Sequence, residues 1–286
     1  MFYVLCFILL SKCRFPQFLI PDSQFPVFLR PMQYTLKKSL GQHFLKDENI
    51  SRKIVVALQQ SFDNTGIKQL LEVGPGGGAL TKYLLKLKEI NFKAVELDAE
   101  KIIYLEQNYP SIKDKIIHQN FLDIDAPFKN SFIVIGNFPY NISTQIVFKV
   151  LEWKEQVPVM IGMFQKEVAQ RIASKPGTKV YGILSVLVQA FYTVEYLFDV
   201  PPGCFTPPPK VMSGVIRFKL RTTKFEVRSE KAFFTLVKRA FNQRRKTLRN
   251  AVRTLFDESI LKEDIFNKRA EQLSIEDFAT LTFKMK

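Results

Sequence analysis

The sequence predicts an α/β fold, a doubly wound parallel sheet followed by a small all-α segment. Three observations predict it. Short apolar, β-branched runs alternate with amphipathic helix-length segments through most of the chain. A glycine-rich turn, Gly74-Pro75-Gly76-Gly77-Gly78, separates the first such strand from the helix after it. From Arg221 onward the periodicity is helical only.

Taken in order, residues 1–31 stand apart. Phe2 to Leu10 is apolar but too short to span a bilayer. No basic segment precedes it and no clean small-residue cleavage pattern follows. Phe15 to Pro31 is rich in Phe and Pro without period. The preferred reading is a non-structural leader before a start at Met32; the alternative is a membrane-targeting segment. Tyr34 to Leu45 is a basic arm ending in a glycine-containing turn. Asp47 is placed to cap a helix whose apolar positions are Ile50, Ile54, Val55 and Leu58. Strands are expected at Gln69–Val73, Phe92–Leu97, Lys115–His118, Ile133–Ile135 and Val157–Phe164, with helices at Ala79–Leu87, Glu100–Asn108 and Thr144–Trp153 between them. Helices at Gln165–Ala173 and Gly182–Ala190 follow, then late strands at Tyr192–Val200 and Val215–Leu220. The stiff crossing Pro201 to Lys210 joins those two strands. In the helical tail, Phe234, Val237, Phe241, Leu248, Val252 and Leu255 mark one apolar stripe. The expected division is a leader at 1–31, an α/β domain at 32–221 and a helical domain at 222–286.

Composition narrows the function. A 286-residue chain that is 47% hydrophobic buries a real core. Its formal net charge of +15 argues for a polyanionic partner, nucleic acid or an anionic membrane. Three scattered cysteines indicate a reducing compartment, without a disulfide framework or metal site. With two histidines, a histidine-rich metal centre is excluded.

The stretch Ser131 to Gln145 carries the chemistry. A buried strand ends at Gly136, and Asn137, Phe138, Pro139 and Tyr140 follow at the carboxyl edge, where open α/β sheets bind ligands. The Asn137 amide oxygen can accept from an exocyclic amino group. Pro139 has no N–H and stiffens the turn, so neighbouring carbonyls can point outward. Phe138 and Tyr140 offer an apolar wall and a stacking face. The set suits an extruded adenine; the competing reading is a strand-ending turn with an aromatic plug. The glycine turn and Glu96, 22 residues beyond Gly74, suit an adenosine-containing cofactor whose ribose hydroxyls the carboxylate takes. The spacing G-x-G-x-G, the preceding acid Glu72 and the lack of a base for pyrophosphate favour S-adenosylmethionine over NAD, since its cation tolerates a nearby carboxylate.

Lys238 to Arg253 holds seven basic residues and no acid. Arg245, Arg249 and Arg253 fall at i, i+4, i+8 on one expected helix face, beside Arg244 and Lys246. Phosphate contact is favoured over a merely solvated face. Lys37 and Lys38 are the expected opposite bank. Phe205 lines the target-base entrance or belongs to the core.

With these residues in hand, the chain closely resembles the small-subunit rRNA adenine dimethyltransferases, the KsgA family, relatives of the Erm methyltransferases. The markers are K-S-L-G-Q-H-F-L, L-E-V-G-P-G-G-G-A-L-T, V-E-L-D, G-N-F-P-Y-N-I-S-T, Q-K-E-V-A-Q-R, F-T-P-P-P-K-V and A-F-N-Q-R-R-K-T-L-R-N, covering Leu36 to Phe283. The resemblance implies a seven-stranded Rossmann-like class I methyltransferase sheet with a helical C-terminal domain. It implies transfer of four methyls from S-adenosyl-L-methionine to two adjacent adenines in the terminal hairpin loop of small-subunit rRNA. It implies that His43 and Leu45 lie against the cofactor, Gly74 beneath its methionine portion with Gly76 beside it, Glu96 on the ribose, Asn120 beside the adenine, and Asn137 toward cofactor and target alike. The partner is then a precursor of the small ribosomal subunit, and the protein a cytoplasmic monomer that does not engage membranes. Two positions depart from the family pattern: Asn120 stands for an aspartate, and Phe138 for a leucine, which is expected to narrow the pocket. Two rivals remain, a DNA adenine methyltransferase and a non-catalytic RNA-binding assembly factor.

Overall fold

In the computed structural model, residues 43–223 and 225–286 are described. Lys37, Lys38 and the 1–31 segment lie outside them. All described residues fall in one unit, Tyr34–Lys286. The strands are β1 (Phe44–Leu45), β2 (Gln69–Val73), β3 (Asn91–Glu96), β4 (Ile116–His118), β5 (Ile133–Asn137), β6 (Val159–Gln165), β7 (Tyr192–Val200), β8 (Phe205–Thr206) and β9 (Ser213–Leu220). The helices are α1 (Glu48–Thr65), α2 (Thr81–Leu84), α3 (Ala99–Asn108), α4 (Ser143–Glu152), α5 (Lys166–Ala173), α6 (Ile183–Gln189), α7 (Glu230–Asn242), α8 (Leu248–Ala251) and α9 (Ile275–Thr282).

Seven strands form one sheet in the order β4-β3-β2-β5-β6-β9-β7, and β1 pairs with β8 in a separate two-stranded ribbon. The chain leaves β2 toward β3 and β4, then returns to lay β5 on the other side of β2. The carboxyl ends of β2 and β5 are therefore the switch point, where a crevice opens between diverging loops. The sheet is mixed rather than wholly parallel. β9 inserts between β6 and β7 and runs antiparallel to both.

Alternation along the strands divides the interior into two cores. Leu70, Ile133 and Ile161 face α1 and α3, packing with Leu58, Ile54 and Leu105. Leu71, Val134 and Met160 face the other side, where Val147 of α4, Leu187 of α6 and the tail residues Leu236, Phe241 and Phe278 join them. Complete burial of each such side chain contributes about 1.5–3 kcal/mol. The Asp47 cap forms as expected: its Oδ1 accepts from the N–H groups of Asn49 at 2.9 Å and Ile50 at 3.1 Å.

Two expected helices are shorter. The one foreseen over Ala79–Leu87 is α-helical only at Thr81–Leu84. Beyond it, Lys86 N–H bonds to Tyr83 O and Leu87 N–H to Leu84 O, the i to i+3 pattern of a tighter turn. In the tail, α7 ends at Asn242 and α8 begins at Leu248. Leu248 N–H bonds to Lys268 O at 2.7 Å, a tertiary bond that takes the chain out of the helix. The stripe from Phe234 to Leu255 is therefore broken, and Arg245, Arg249 and Arg253 do not share one helix face.

Candidate active site

An open cleft of about 690 Å3, counting its mouth, lies at the switch point. His43, Leu45, Glu72, Gly74, Gly76, Glu96, Lys101, Asn137, Phe138, Pro139 and Tyr140 are among its lining residues. The sequence-predicted residues from the arm, the glycine turn, the end of β3 and the end of β5 thus meet in one place.

The glycine turn follows β2 directly. Gly74 and Gly76 have φ of 68° and 56°, the left-handed region that glycine enters without penalty. A Cβ on Gly74 would stand 3.9 Å from Pro139 Cδ, so the two turns face each other closely across the cleft. Glu96 is held rigidly. Its Oε2 accepts from Gly76 N–H at 3.0 Å, and its Oε1 from Leu97 and Asp98 N–H, both at 3.0 Å. Carboxylate oxygens each accept more than one bond, so capacity remains for a diol.

Glu72 is 2% exposed and accepts from Thr81 Oγ1 at 2.8 Å. Burial pushes its carboxyl pKa up to about 8, against the opposing Thr81 bond and with help from the charge of Glu96. A buried acid beside a second acid makes a site that a cation relieves.

The turn after β5 is clamped from the arm. Asn137 Nδ2 donates to His43 O at 3.2 Å, which fixes the other half of the amide as its acceptor. His43 Nδ1 lies 2.8 Å from Pro207 O. The His43 and Tyr140 rings sit 5.4 Å apart, inclined by 35°. The Tyr140 hydroxyl shares a 2.6 Å hydrogen bond with Ser213 Oγ, and burial raises its pKa. β1 holds His43 in this position by pairing Leu45 with Phe205 of β8.

Two expectations, for Phe138 and Asn120, are corrected, and the choice left open for Phe205 falls to the core. Phe138 does not fill the cleft with its ring, although the residue lines it. The ring enters the core between Gly136 and Gly162 and meets Phe164 edge-on at 5.2 Å between centroids. Its extra bulk is taken up by two glycines, not by ligand space. Phe205 is 1% exposed and packs in the core, so it does not line a base entrance. Asn120 is outside the cleft lining: its Nδ2 donates to Asp123 Oδ2 at 2.7 Å and its Oδ1 accepts from Leu122 N–H at 3.2 Å. On the basic tail, Arg249 bonds to Leu261 O and Asn267 Oδ1, both at 2.9 Å, and Arg244 to Glu271 Oε2 at 3.0 Å and to Lys179 O. Arg245 and Lys246 are exposed.

Sequence reasoning missed Lys101, Gly162 and Ser213. Lys101, the third residue of α3 and five positions past Glu96, is buried at the cleft. The glycine inside the apolar run Val159–Phe164 was a usable signal for a close approach. Ser213 had no signal, since the last strand is expected from Val215 and begins two residues earlier.

The seven-stranded fold, the glycine turn at β2, the acid closing β3 and the Asn-Phe-Pro-Tyr turn closing β5 together define a class I methyltransferase. S-Adenosylmethionine is the cofactor of this class, and the acidic, glycine-floored cleft fits its sulfonium and ribose. The crystal structure of a dimethyladenosine transferase from Plasmodium falciparum is similar with a TM-score of 0.71 at 25% identity, covering 84% of this chain and 96% of that one. The 23S rRNA methyltransferase ErmE shares the fold, with a TM-score of 0.62 at 21% identity over 83% of this chain and 99% of that one. The ribosomal RNA small subunit methyltransferase A of Flavobacterium johnsoniae is 54% identical over 254 residues, 87% of this chain and 95% of that protein. Its counterpart in Cytophaga hutchinsonii is 53% identical over 249 residues, 86% of this chain and 95% of that protein. The chain belongs to the ribosomal RNA adenine dimethylase family, whose model matches residues 33–285.

Proposed function

We propose that this protein dimethylates the N6 amines of two adjacent adenines in the 3′-terminal hairpin loop of small-subunit rRNA. The substrate is a precursor of the 30S-type subunit, and the protein acts as a cytoplasmic monomer in ribosome biogenesis. The observation that carries the reading is the single cleft in which the glycine turn and Glu96 oppose Asn137–Tyr140.

Bound S-adenosylmethionine supplies an electrophilic methyl on a sulfonium. Glu96 takes the ribose hydroxyls, while His43, Leu45, Gly74 and Gly76 shape the bed beneath the methionine portion. Asn120 takes no part in this bed, its amide already serving Asp123 and Leu122. Asn137 Oδ1 and a carbonyl beside Phe138 accept the two N–H bonds of the target amine, drawing its lone pair out of conjugation and toward the methyl. Tyr140 stacks on the base. Held there, the sulfonium would give up its methyl to that lone pair, and the amine proton would leave to solvent. Positioning is the main catalytic contribution, so no strong base is needed. A methylated amine still has one N–H and repeats the cycle.

Arg245 and Lys246, exposed on the turn between α7 and α8, are the phosphate contacts we favour in the tail, with Lys37 and Lys38 on the arm. Arg244 and Arg249 act mainly within the fold, Arg244 through Glu271 and Lys179 and Arg249 through Leu261 and Asn267. We also favour the division into a methyltransferase domain at 32–221 and an RNA-binding helical domain at 222–286. The test is nuclease digestion and mass spectrometry of undermethylated small subunits after incubation with enzyme and cofactor. Dimethyladenosine at two neighbouring hairpin positions is expected. Modification elsewhere, or none, contradicts the reading.

A further inference from the structure

One stretch of chain, Pro201–Ser213, holds the catalytic turn at two points. At the first, Pro207 O meets His43 Nδ1 at 2.8 Å, and His43 in turn accepts from Asn137 Nδ2 at 3.2 Å. At the second, Ser213 Oγ meets the Tyr140 hydroxyl at 2.6 Å. Ser213 is fully buried. As the first residue of β9 it stands in register between Gln165 of β6 and Val200 of β7. It is thereby fixed by backbone pairing on both sides, whereas Tyr140 is a half-buried residue of a turn.

A tyrosine ring swings about two side-chain torsions. Its hydroxyl oxygen lies on the axis of the second torsion, so a bond there arrests the first, which aims the ring, and leaves the ring's tilt to the surfaces packed against its faces. Here the tip is tied to the sheet through Ser213 and the ring leans on His43, with 5.4 Å between centroids. A stacking face must hold its plane closely to keep a base amine in line with a methyl. We propose that Ser213 is a positioning residue for methyl transfer, fixing through the hydroxyl where the Tyr140 ring lies against His43 at the cleft. This rests on the reading of Tyr140 as the stacking face for the target base. Ser213 touches neither the base nor the cofactor in this account; it acts through Tyr140 alone.

The test is a double-mutant cycle on turnover with undermethylated small subunits, with calorimetric cofactor affinity as a parallel readout. Ser213→Ala and Tyr140→Phe are each expected to lower kcat about tenfold, with the double variant no lower than either single, because both remove one bond. Cofactor affinity is expected to stay within about twofold in all three, and Ser213→Thr, which keeps the hydroxyl, within about threefold of the parent kcat. Parent-like kcat in Ser213→Ala, losses that multiply in the double variant, or cofactor affinity falling in step with kcat would overturn the proposal. If Ser213→Ala does not fold, Tyr140→Phe and Ser213→Thr decide: parent-like kcat in the first, or a tenfold loss in the second, overturns it. Tyr140→Ala separates the two levels. Retained kcat there defeats the stacking reading itself. Lost kcat there, with Ser213→Ala unaffected, defeats only the role of Ser213.

Discussion

Phe138 occupies the space that a side chain on Gly162 would need: a Cβ there would lie 2.3 Å from Phe138 Cε2 and 2.6 Å from Phe164 Cε2. Gly136, paired in register with Gly162, leaves the same room on the other side, with its Cβ position 2.5 Å from Phe138 Cε1. The ring is thus a plug beneath the turn that carries Asn137 and Pro139. Gly162→Ala should destabilise the protein by about 1–3 kcal/mol, the usual cost of overpacking a filled core. Adding Phe138→Leu should return part of that loss, so the two changes combine to less than their sum. Denaturant unfolding of the single and double variants measures it; strict additivity counts against the plug.

Glu72 makes stability and cofactor binding depend on pH. Its carboxyl, ordinarily near 4.5, is pushed up to about 8 by burial. Between these values the folded protein binds a proton that the unfolded chain has released. This contribution to stability is therefore full below about 4.5, declines as pH rises, and is gone above about 8. Glu72→Gln should flatten the fall in melting temperature between about pH 5 and 8.5. A cationic ligand favours the carboxylate, so binding S-adenosylmethionine near neutral pH should release a proton. Calorimetric enthalpies at fixed pH should then vary with the ionisation enthalpy of the buffer for the parent and not for Glu72→Gln. A parent enthalpy independent of buffer contradicts the shift.

The basic tail divides by contact. Arg245→Ala with Lys246→Ala should lower the slope of log affinity against log salt for the rRNA hairpin by about 1–2 and leave the melting temperature unchanged. Arg249→Ala removes two 2.9 Å bonds, to Leu261 O and Asn267 Oδ1, and should cost about 1 kcal/mol of stability. Salt-dependent binding and thermal melts of both variants separate the effects. Unchanged salt dependence in the first would remove these two residues from the interface.

The order of strands and helices was legible because the central β-branched runs, such as Ile133–Ile135, are buried on both faces, and helices such as α1, capped by Asp47, carry their own start signal. The ligand cleft was legible because its parts sit at strand ends, where the residue types state their chemistry. What escaped depends on contacts distant in sequence. Nothing local says that β9 inserts antiparallel between β6 and β7. Gln243-Arg244-Arg245-Lys246 are good helix formers, yet the bond from Leu248 N–H to Lys268 O ends the helix before Leu248. The direction of the Phe138 ring depended on Gly162, which only strand pairing brings beside Gly136. Ser213 reaches Tyr140 across 73 residues of chain.

The central claim is that the Asn137 amide, oriented by His43, presents a target adenine of ribosomal RNA to the cofactor methyl. It is tested most directly by labelled methyl transfer to undermethylated small ribosomal subunits and to duplex DNA, with parent and Asn137→Ala enzymes. Incorporation is expected with the ribosomal substrate alone, and Asn137→Ala should lose it by roughly 10²-fold or more. Equal transfer to DNA, or parent-like transfer by Asn137→Ala, would contradict the account.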